Sequence, residues 1–182
     1  MNICVYCSAS NTIDPKYFIV AESLGGHLAA RADTLVYGGA SVGLMGAIAR
    51  SVHAAGGRVI GVIPQALVDR EVAYHHADEL VVTPNMRERK ATMEARSDAF
   101  LALPGGIGTL EEITEIMVGK HLRLLDKPMV LLDLEGFYQP LLALFEHMRA
   151  AQFIHTPFEN LFHLAPTLDA AFAYIDAYKT AN

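Results

Sequence analysis

The stretch that decides the fold reads Leu103-Pro104-Gly105-Gly106-Ile107-Gly108-Thr109-Leu110-Glu111-Glu112. It follows a short apolar run, residues 99–103, that is typical of a buried strand, and a helix pattern begins after Gly108. The glycines let backbone N–H groups approach an anion, and a helix N-terminus adds unpaired donors and the positive end of a dipole. We therefore predict that this loop binds a phosphate group.

The same stretch has a second interpretation, a tight strand-to-helix turn in which Glu111 and Glu112 simply complement the helix dipole. It does not match two familiar nucleotide fingerprints. The Walker loop requires Gly-Lys-Ser/Thr, where this loop has Gly108-Thr109. The dinucleotide fingerprint requires G-x-G-x-x-G after the first strand, where the chain reads Cys7-Ser8-Ala9-Ser10-Asn11.

Length and charge limit the class of protein. The 182 residues suit one domain over residues 1–182, and a net charge of −6 argues against a general nucleic-acid binder. No apolar run reaches the roughly 18 residues of a membrane span. The first residues enter a strand pattern without a basic region and cleavage site. We therefore expect a cytoplasmic protein that binds neither nucleic acid nor membranes.

Cysteine and histidine are the residues that would signal metal or redox chemistry. Cys4 and Cys7 form a C-x-x-C pair, but both fall in or at the end of an apolar strand, so we expect free buried thiols. His75 and His76 lie in an irregular loop without a carboxylate or thiol at ligand spacing. The sequence accordingly predicts no metal and no cofactor.

Strand and helix patterns alternate along the chain. Predicted strands are residues 2–6, 34–37, 58–63, 79–83, 99–103, 129–132 and a short edge strand, 161–164. Predicted helices are residues 15–32, 44–55, 86–96, 108–125, 137–150 and 166–179. This alternation predicts an α/β fold, a doubly wound and mostly parallel sheet with helices on both faces. Ligands bind at the carboxyl edge of such sheets, where the turn at Ser8, the loops 38–46 and 104–109 and the start of the helix 86–96 would meet.

The helix after Asn85 carries cations on its apolar side. At about 100° per residue, Met86 and Met93 share one line of the helix, with Arg89 and Lys90 on either side of it. A solvated charge run would place its cations opposite the methionines. We therefore predict that Arg89 is paired or ligand-bound, with a snorkelling side chain as the alternative.

The helix after Gly108 carries a carboxylate on its inward side. Thr109, Glu112 and Ile116 follow the i, i+3 and i+4 spacing of one stripe. Glu112 therefore faces inward beside Thr109, whereas Glu111 belongs to a different face. The sequence therefore predicts an inward carboxylate at Glu112, beside the glycine loop.

These motifs resemble those of a known family. Residues 104–112 match the P-G-G-x-G-T-x-x-E motif of the Lonely Guy family, the cytokinin-riboside 5′-monophosphate phosphoribohydrolases, and Met86 to Lys90 match its M-x-E-R-K motif. Supporting matches are Cys7-Ser8-Ala9-Ser10, Tyr37-Gly38-Gly39, Gly43-Leu44-Met45-Gly46 and Gly61-Val62-Ile63-Pro64. The resemblance covers about residues 1–150.

The resemblance implies a Rossmann-like fold, usually dimeric, that hydrolyses a nucleoside 5′-monophosphate to free base and ribose 5-phosphate. It makes Arg89 and Glu112 the catalytic pair. The substrate-binding positions that it implies are Ser8, Gly39, Gly43, Met45, Arg89, Lys90, Gly105, Gly106, Gly108, Thr109 and Glu112. Members of the family have often been labelled lysine decarboxylases, but no segment here resembles a pyridoxal-phosphate Schiff-base site.

The chemistry of these side chains fits the implied reaction. Cleavage of a ribosyl–base bond builds positive charge on the sugar, which a carboxylate such as Glu112 stabilises. Negative charge develops on the departing base, and the phosphate is negatively charged throughout the reaction. The guanidinium of Arg89 could therefore bind either group. A non-catalytic nucleotide carrier or sensor is the alternative, and it would keep the glycine loops without needing the pair.

One segment departs from the family pattern. Where the family often has W-x-Q-L-G, the chain reads Gly119-Lys120-His121-Leu122-Arg123. That segment is expected to shape the base end of the pocket or the subunit contact. The sequence therefore leaves open whether the base is prenylated adenine, plain adenine or another base.

Overall fold

We describe a computed structural model of the protein over residues 1–70 and 72–181, with side chains up to residue 178. Within this part of the chain, seven parallel strands form one sheet in the order β4-β3-β2-β1-β5-β6-β7. The strands are β1 Asn2–Tyr6, β2 Thr34–Tyr37, β3 Arg58–Pro64, β4 Glu79–Thr83, β5 Ala99–Ala102, β6 Met129–Leu132 and β7 His163–Ala165. The predicted α/β class and doubly wound sheet are confirmed.

Helices cover both faces of the sheet. They are α1 Pro15–Ala30, α2 Gly43–Ala54, the single turn α3 Gln65–Val68, α4 Met86–Ala95, α5 Ile107–His121, α6 Gln139–Ala150 and α7 Leu168–Ala181. One apolar core joins α1, α2 and α7 to the sheet, and the other joins α4, α5 and α6. Alternate residues of β1 point into different cores, Val5 into the first and Cys4 into the second, as strand geometry requires. None of the helices in the described residues has the length and apolar character of a membrane span.

The order of the strands reverses at β1. The chain winds outward from β1 to β4, then returns to pair β5 with the other side of β1. The loops after β1 and β5 therefore leave the sheet in opposite directions and open a crevice between them. Such a switch point is where ligands bind in open parallel sheets.

The predicted bounds of β1, β2, β4 and β6 are confirmed, whereas all six predicted helices and the strands β3, β5 and β7 differ from the prediction by one to four residues at their ends. Helix α1 ends at Ala30, two residues earlier than predicted, and α5 ends at His121, four residues earlier. Both stop because Ala32 and Arg123 adopt left-handed backbone conformations, with φ of 54° and 58°. Strand β5 ends at Ala102, one residue short, and the edge strand β7 is His163–Ala165 rather than 161–164. Helices α6 and α7 begin two residues later than predicted, at Gln139 and Leu168.

Candidate active site

A cavity of about 280 Å³ lies at the carboxyl edge of the sheet, beside the β1–β5 switch point. That volume is near the lower end of the range for small-molecule sites, which begins at about 300 Å³. Its walls come from β1, from the loops after β1, β2 and β5, and from α2, α3, α4 and α5. The lining residues are Val5, Cys7, Ser8, Ala9, Gly38, Met45, Leu67, Met86, Arg89, Met93, Gly106, Gly108, Thr109 and Glu112.

Arg89 is the buried cation of this cavity. Asn85 caps its helix by accepting the Glu88 N–H at 3.0 Å, which fixes the first turn of α4. The Arg89 side chain then runs inward and is 5% exposed. Its Nη1 donates to Glu112 Oε1 at 2.7 Å, and its Nε donates to the Val62 carbonyl oxygen at 3.1 Å. The predicted pairing of Arg89 is confirmed, and the snorkelling alternative is not what the side chain does.

The guanidinium reaches this position over the backbone of Gly38. A Cβ at Gly38 would lie 2.0 Å from Arg89 Nη2 and 2.9 Å from Met45 Sδ. Any other residue type would push both side chains away, so the glycine after β2 serves the close approach of Arg89. The first glycine of the predicted loop 38–46 therefore has a packing reason.

Glu112 is the carboxylate partner and is 8% exposed. Burial raises the pKa of Glu112, and the charge and hydrogen bond of Arg89 only partly oppose that rise. The negative charge of Glu111 raises this pKa further, whereas the positive charge of Lys90 lowers it. The cavity thus holds a carboxyl group whose proton affinity exceeds that of a solvated glutamate.

The N-terminus of α5 opens toward the same cavity. Helix geometry leaves the N–H groups of Ile107, Gly108 and Thr109 without intrahelical acceptors, and no side chain caps the helix. Gly106 and Gly108 line the cavity and are exposed, so these donors are accessible to a ligand. The Tyr138 hydroxyl donates to the Leu103 carbonyl oxygen at 2.7 Å and fixes the strand end from which the loop starts. This is the geometry of an anion-binding helix terminus.

In the second glycine loop, before α2, backbone N–H groups already have acceptors within the protein. Gly43 has a φ of 59°, and a Cβ there would lie 2.4 Å from the carbonyl carbon of Ala9. Its N–H donates to Asn11 Oδ1 at 2.8 Å, and the Leu44 N–H donates to the Ser8 carbonyl oxygen at 3.0 Å. Two of the first backbone N–H groups of α2 therefore donate to the loop after β1 and are not available to a ligand.

Lys90 turns away from the cavity. Its ammonium lies 2.8 Å from Glu115 Oε2 and hydrogen-bonds Glu111 Oε1 as well. Both carboxylates belong to α5, so Lys90 links the outer sides of α4 and α5. The structure does not bring Lys90 into the cavity lining.

Seven of the residues predicted to contact a substrate share this cavity: Ser8, Met45, Arg89, Gly106, Gly108, Thr109 and Glu112. The other four, Gly39, Gly43, Gly105 and Lys90, lie beside it and not in its lining. The substrate contacts of all eleven residues stay predictions.

Sequence reasoning missed seven lining residues. Cys7, Ala9 and Gly38 adjoin predicted positions, and Met86 and Met93 lie on the helix face that predicts the inward Arg89. Val5 and Leu67 gave no such signal. Leu67 comes from α3, inside a stretch whose sequence predicts only irregular structure.

The cysteines and histidines have ordinary environments. Cys4 and Cys7 are free and buried, as predicted, and burial raises the pKa of the Cys4 thiol to about 12. Burial likewise raises the pKa of Cys7, so both thiols are protonated and poor nucleophiles. His75 and His76 are exposed, and the described residues contain no group of three or more side chains placed to hold a metal ion.

The sheet order, the cavity at its switch point and the open helix terminus place this protein in the class of Rossmann-like α/β proteins. Two solved structures share the fold over nearly the whole chain. The molybdenum cofactor carrier protein from Chlamydomonas reinhardtii has a TM-score of 0.72 at 23% identity and covers 98% of both chains. The molybdenum cofactor binding protein from Rippkaea orientalis has a TM-score of 0.71 at 22% identity and covers 97% of this chain and 95% of its own. At this identity the likeness concerns the fold alone.

Sequence comparison gives the family. Residues 45–175 match the family described as possible lysine decarboxylase. Cytokinin riboside 5′-monophosphate phosphoribohydrolase LOG5 of Arabidopsis thaliana is 39% identical over 180 residues, which are 99% of this chain and 79% of the relative. The probable phosphoribohydrolase LOGL2 of Oryza sativa subsp. japonica is 42% identical over 177 residues, 97% of this chain and 72% of the relative. The chain belongs to this family, and its resemblance to the Lonely Guy proteins is confirmed.

Proposed function

We propose that this protein hydrolyses the N-glycosidic bond of a purine riboside 5′-monophosphate, either a cytokinin or an adenosine nucleotide, to free base and ribose 5-phosphate. One observation carries the proposal. The buried pair of Arg89 and Glu112 lies in the same cavity as the uncapped N-terminus of α5. The printed names of relatives 39% and 42% identical to this chain support it.

The α5 terminus is the phosphate-binding element in this proposal. The N–H groups after Gly106 would donate to the phosphate, and the dipole of a 15-residue helix favours a dianion there. Thr109 adds a hydroxyl and Ser8 another from the facing loop. With its phosphate held at this end, the ribose of a nucleotide extends over Glu112.

Glu112 stabilises the sugar. As the C1′–N bond breaks, its electron pair leaves with the base and C1′ becomes positive. A carboxylate beside C1′ stabilises that charge and orients a water molecule whose oxygen bonds to C1′. The hydroxyl of that water stays on the sugar, and its proton is taken up by the departing base.

Arg89 acts beside it as a fixed positive charge. Its Nε is held by the Val62 carbonyl oxygen and its Nη1 by Glu112, so the guanidinium is oriented before a substrate arrives. Such preorganised charge favours a developing anion in a site that excludes water. Contact with the departing base or with the phosphate would serve catalysis in either case.

The family description of lysine decarboxylase finds less support in this cavity. That chemistry requires a lysine that forms a Schiff base with its cofactor. Among the described residues that line the cavity there is no lysine. Lys90, which lies beside the cavity, forms ion pairs with Glu111 and Glu115.

We also infer a homodimer. A groove of about 260 Å³ on α5, α6 and the segment after them is lined mostly by apolar side chains, including Met117, Val118, Phe145 and Phe153. No residue of α6 is buried, although the helix carries three leucines and a phenylalanine. A second copy that covers this face would bury an apolar surface of the kind that marks protein interfaces.

Two further expectations remain proposals. We infer that residues 1–182 form one nucleotide-binding domain, because a single sheet carries both apolar cores. We place the protein in the cytoplasm, where reducing conditions suit free thiols such as Cys4 and Cys7.

Incubation of the protein with AMP and with N6-prenylated AMP, followed by chromatography, tests the activity. The expected result is free base and ribose 5-phosphate in equal amounts. Tight nucleotide binding without release of base would instead favour the carrier or sensor. Comparison of the two nucleotides also decides which base the site prefers.

A further inference from the structure

Lys90 is enclosed by two carboxylates of α5. Its ammonium lies 2.8 Å from Glu115 Oε2 and donates a hydrogen bond to Glu111 Oε1. The lysine side chain is only 13% exposed, whereas Glu111 and Glu115 are 52% and 48% exposed. Glu111 and Glu115 are one helical turn apart, so they face the lysine together.

This cluster stands next to the candidate catalytic pair in both helices. Lys90 follows Arg89 in α4, and Glu111 precedes Glu112 in α5. Neighbouring residues of a helix point about 100° apart, so the two bridges leave the helices in different directions. Arg89 and Glu112 meet in the buried cavity, whereas Lys90 meets its carboxylates at the surface. Helix α4 is therefore fixed against α5 on two sides.

We propose that Lys90 is a positioning residue, which bridges Glu111 and Glu115 and thereby holds Arg89 against Glu112 in the reactive geometry. The inference rests on the proposed hydrolase function. It gives Lys90 a task different from the substrate contact that the M-x-E-R-K resemblance implies.

The inner bridge joins α4 to α5 through a single hydrogen bond, because the second bond of Arg89, from Nε, goes to the Val62 carbonyl oxygen of β3. Arg89 donates to Glu112 through Nη1 only, so the pair lacks the two parallel bonds that fix an arginine–carboxylate plane. The outer bridge adds two contacts between the same helices and so restricts the movement of α4 against α5.

The same cluster tunes the ionisation of Glu112. Positive charge on Lys90 lowers the pKa of Glu112, and negative charge on Glu111 raises it. Arg89 also faces Glu112, and its positive charge and hydrogen bond lower the same pKa. From β1 the carboxyl faces groups that stay neutral, because burial raises the pKa of Cys4, Tyr6 and Cys7. Loss of the Lys90 charge therefore raises the pKa of Glu112 further.

Steady-state kinetics of three variants test the proposal. Lys90→Met should lower kcat for AMP by about tenfold with KM changed less than about twofold, because the loss is of geometry and not of a substrate contact. The double variant Glu111→Gln/Glu115→Gln, which removes both carboxylates, should show the same pattern. Lys90→Arg keeps a cation within reach of both carboxylates and should restore most of kcat. In Lys90→Met the acid limb of the kcat profile should also move to higher pH.

A substrate-binding lysine would give the opposite pattern. Lys90→Met would then raise KM by about tenfold or more, while the double glutamine variant would keep the kcat of the wild type. That result would overturn the proposal. Lys16→Met, which breaks a surface lysine–glutamate pair with Glu135, is the matched control and should leave both constants unchanged. If Lys90→Met fails to fold, the double variant still decides.

Hydrogen exchange separates this proposal from the proposed function. In the protein without substrate, amides of α4 should exchange several-fold faster in Lys90→Met than in the wild type or in Lys90→Arg. Equal exchange in all three would reject the positioning role whether or not the wild type releases base. Absence of base release by the wild type would reject the hydrolase function alone.

Discussion

The pair of Arg89 and Glu112 makes little sense as a stabilising feature. A buried ion pair loses hydration energy that its attraction rarely recovers in full, and apolar residues of similar volume often stabilise as well or better. Burial raises the pKa of Glu112 despite the arginine, as expected for a carboxylate that has lost its hydration. The pair also faces a cavity and not a packed core. Its location is better explained by the charges that a reacting nucleotide develops there.

Removal of either member of the pair is the first test at this scale. Arg89→Ala and Glu112→Gln should each lower base release from AMP by at least about a hundredfold, the scale for loss of one preorganised charge. Arg96→Ala and Glu79→Gln are matched controls, because that pair joins the other end of α4 to β4. The controls should retain activity, and circular dichroism should show all four variants folded. Near wild-type turnover in Arg89→Ala or Glu112→Gln would refute the catalytic assignment.

The pH dependence of the reaction follows from the same carboxyl group. A raised pKa means that Glu112 takes up its proton at a higher pH than a glutamate with the ordinary value of 4.5. The ionised form is the one that stabilises a positive sugar, so kcat should fall as pH drops through a value above 4.5. Measurement at saturating AMP, with each sample returned to neutral pH as a control for unfolding, checks this. A constant kcat down to the ordinary glutamate value would contradict it.

Sequence periodicity reaches the direction of these side chains but not their partners. The helical wheel predicts that Arg89 and Glu112 face inward, and they do. It also places Lys90 near the apolar side, yet the structure shows the ammonium bound to Glu111 and Glu115. The partner of a long flexible side chain depends on which helix packs beside it. That information is tertiary and is absent from the spacing within one helix.

At the scale of the elements, the two glycine loops differ in what their donors do. The donors at the start of α2 bind Asn11 and the Ser8 carbonyl, whereas the start of α5 has no side-chain cap. The first donors of α2 therefore stabilise the loop after β1, whereas those of α5 have no side-chain partner in the described residues. Both loops read as glycine-rich turns that open helices, so the sequence pattern does not show which backbone donors already have a partner within the protein.

Comparison of adenosine with AMP tests the α5 terminus. Adenosine lacks the group that several charge-assisted hydrogen bonds would hold, each worth about 1.5–3 kcal/mol. Its kcat/KM should be at least about a thousandfold below that of AMP, because the phosphate positions the ribose against Glu112. Ribose 5-phosphate and inorganic phosphate should inhibit competitively, with sulfate-free buffer and matched ionic strength as the control. Comparable cleavage of adenosine and AMP would show that the glycine loop is only a turn.

Helix ends give a stability prediction. Arg123 follows the C-cap of α5 at φ 58°, and the Leu124 N–H bonds the Gly119 carbonyl oxygen at 2.9 Å, as in a Schellman turn. Glycine occupies this conformation without the steric penalty of a Cβ, and the Lonely Guy pattern often has glycine at this position. Arg123→Gly should stabilise the protein by about 0.5–1 kcal/mol, a rise in Tm of about 1–4 °C.

The equivalent change at the end of α1 serves as the comparison. Ala32 has φ 54°, and the Asp33 N–H bonds the Leu28 carbonyl oxygen at 3.0 Å. Ala32→Gly should therefore give a similar gain at the same protein concentration. Destabilisation by both changes would mean that the left-handed conformation carries no penalty here. These turns also explain why the periodic pattern predicts α1 and α5 too long, since an alanine or arginine at such a position carries no stop signal.

At the scale of the whole molecule, the alternation of strands and helices was enough to predict the sheet and its two covered faces. The sequence did not predict the order of the strands. Strand β5 pairs with β1, which lies far from it in the chain, and the residue pattern within a strand carries no information about its neighbour. That recrossing creates the crevice, so the cavity is a property of topology. Leu67 reaches the cavity from α3, which follows β3 at the same edge of the sheet. No periodic pattern around Leu67 predicts this contact.

The apolar face of α5 and α6 supplies the last prediction, which concerns assembly. Val118 is 54% exposed and Phe153 is 80% exposed, and both line the groove on that face. A second copy that covers the groove would remove these side chains from water, so we expect light scattering to give twice the chain mass of 19.8 kDa. Val118→Asp should place a charge in the contact and shift the protein to monomer, with loss of activity if the partner completes the pocket. Ile19→Asp introduces the same charge at an exposed apolar residue of α1, on the other face of the sheet, and should leave the dimer intact. A fully active wild-type monomer at micromolar concentration would refute the dimer, and it would leave the groove open to a partner other than a second copy.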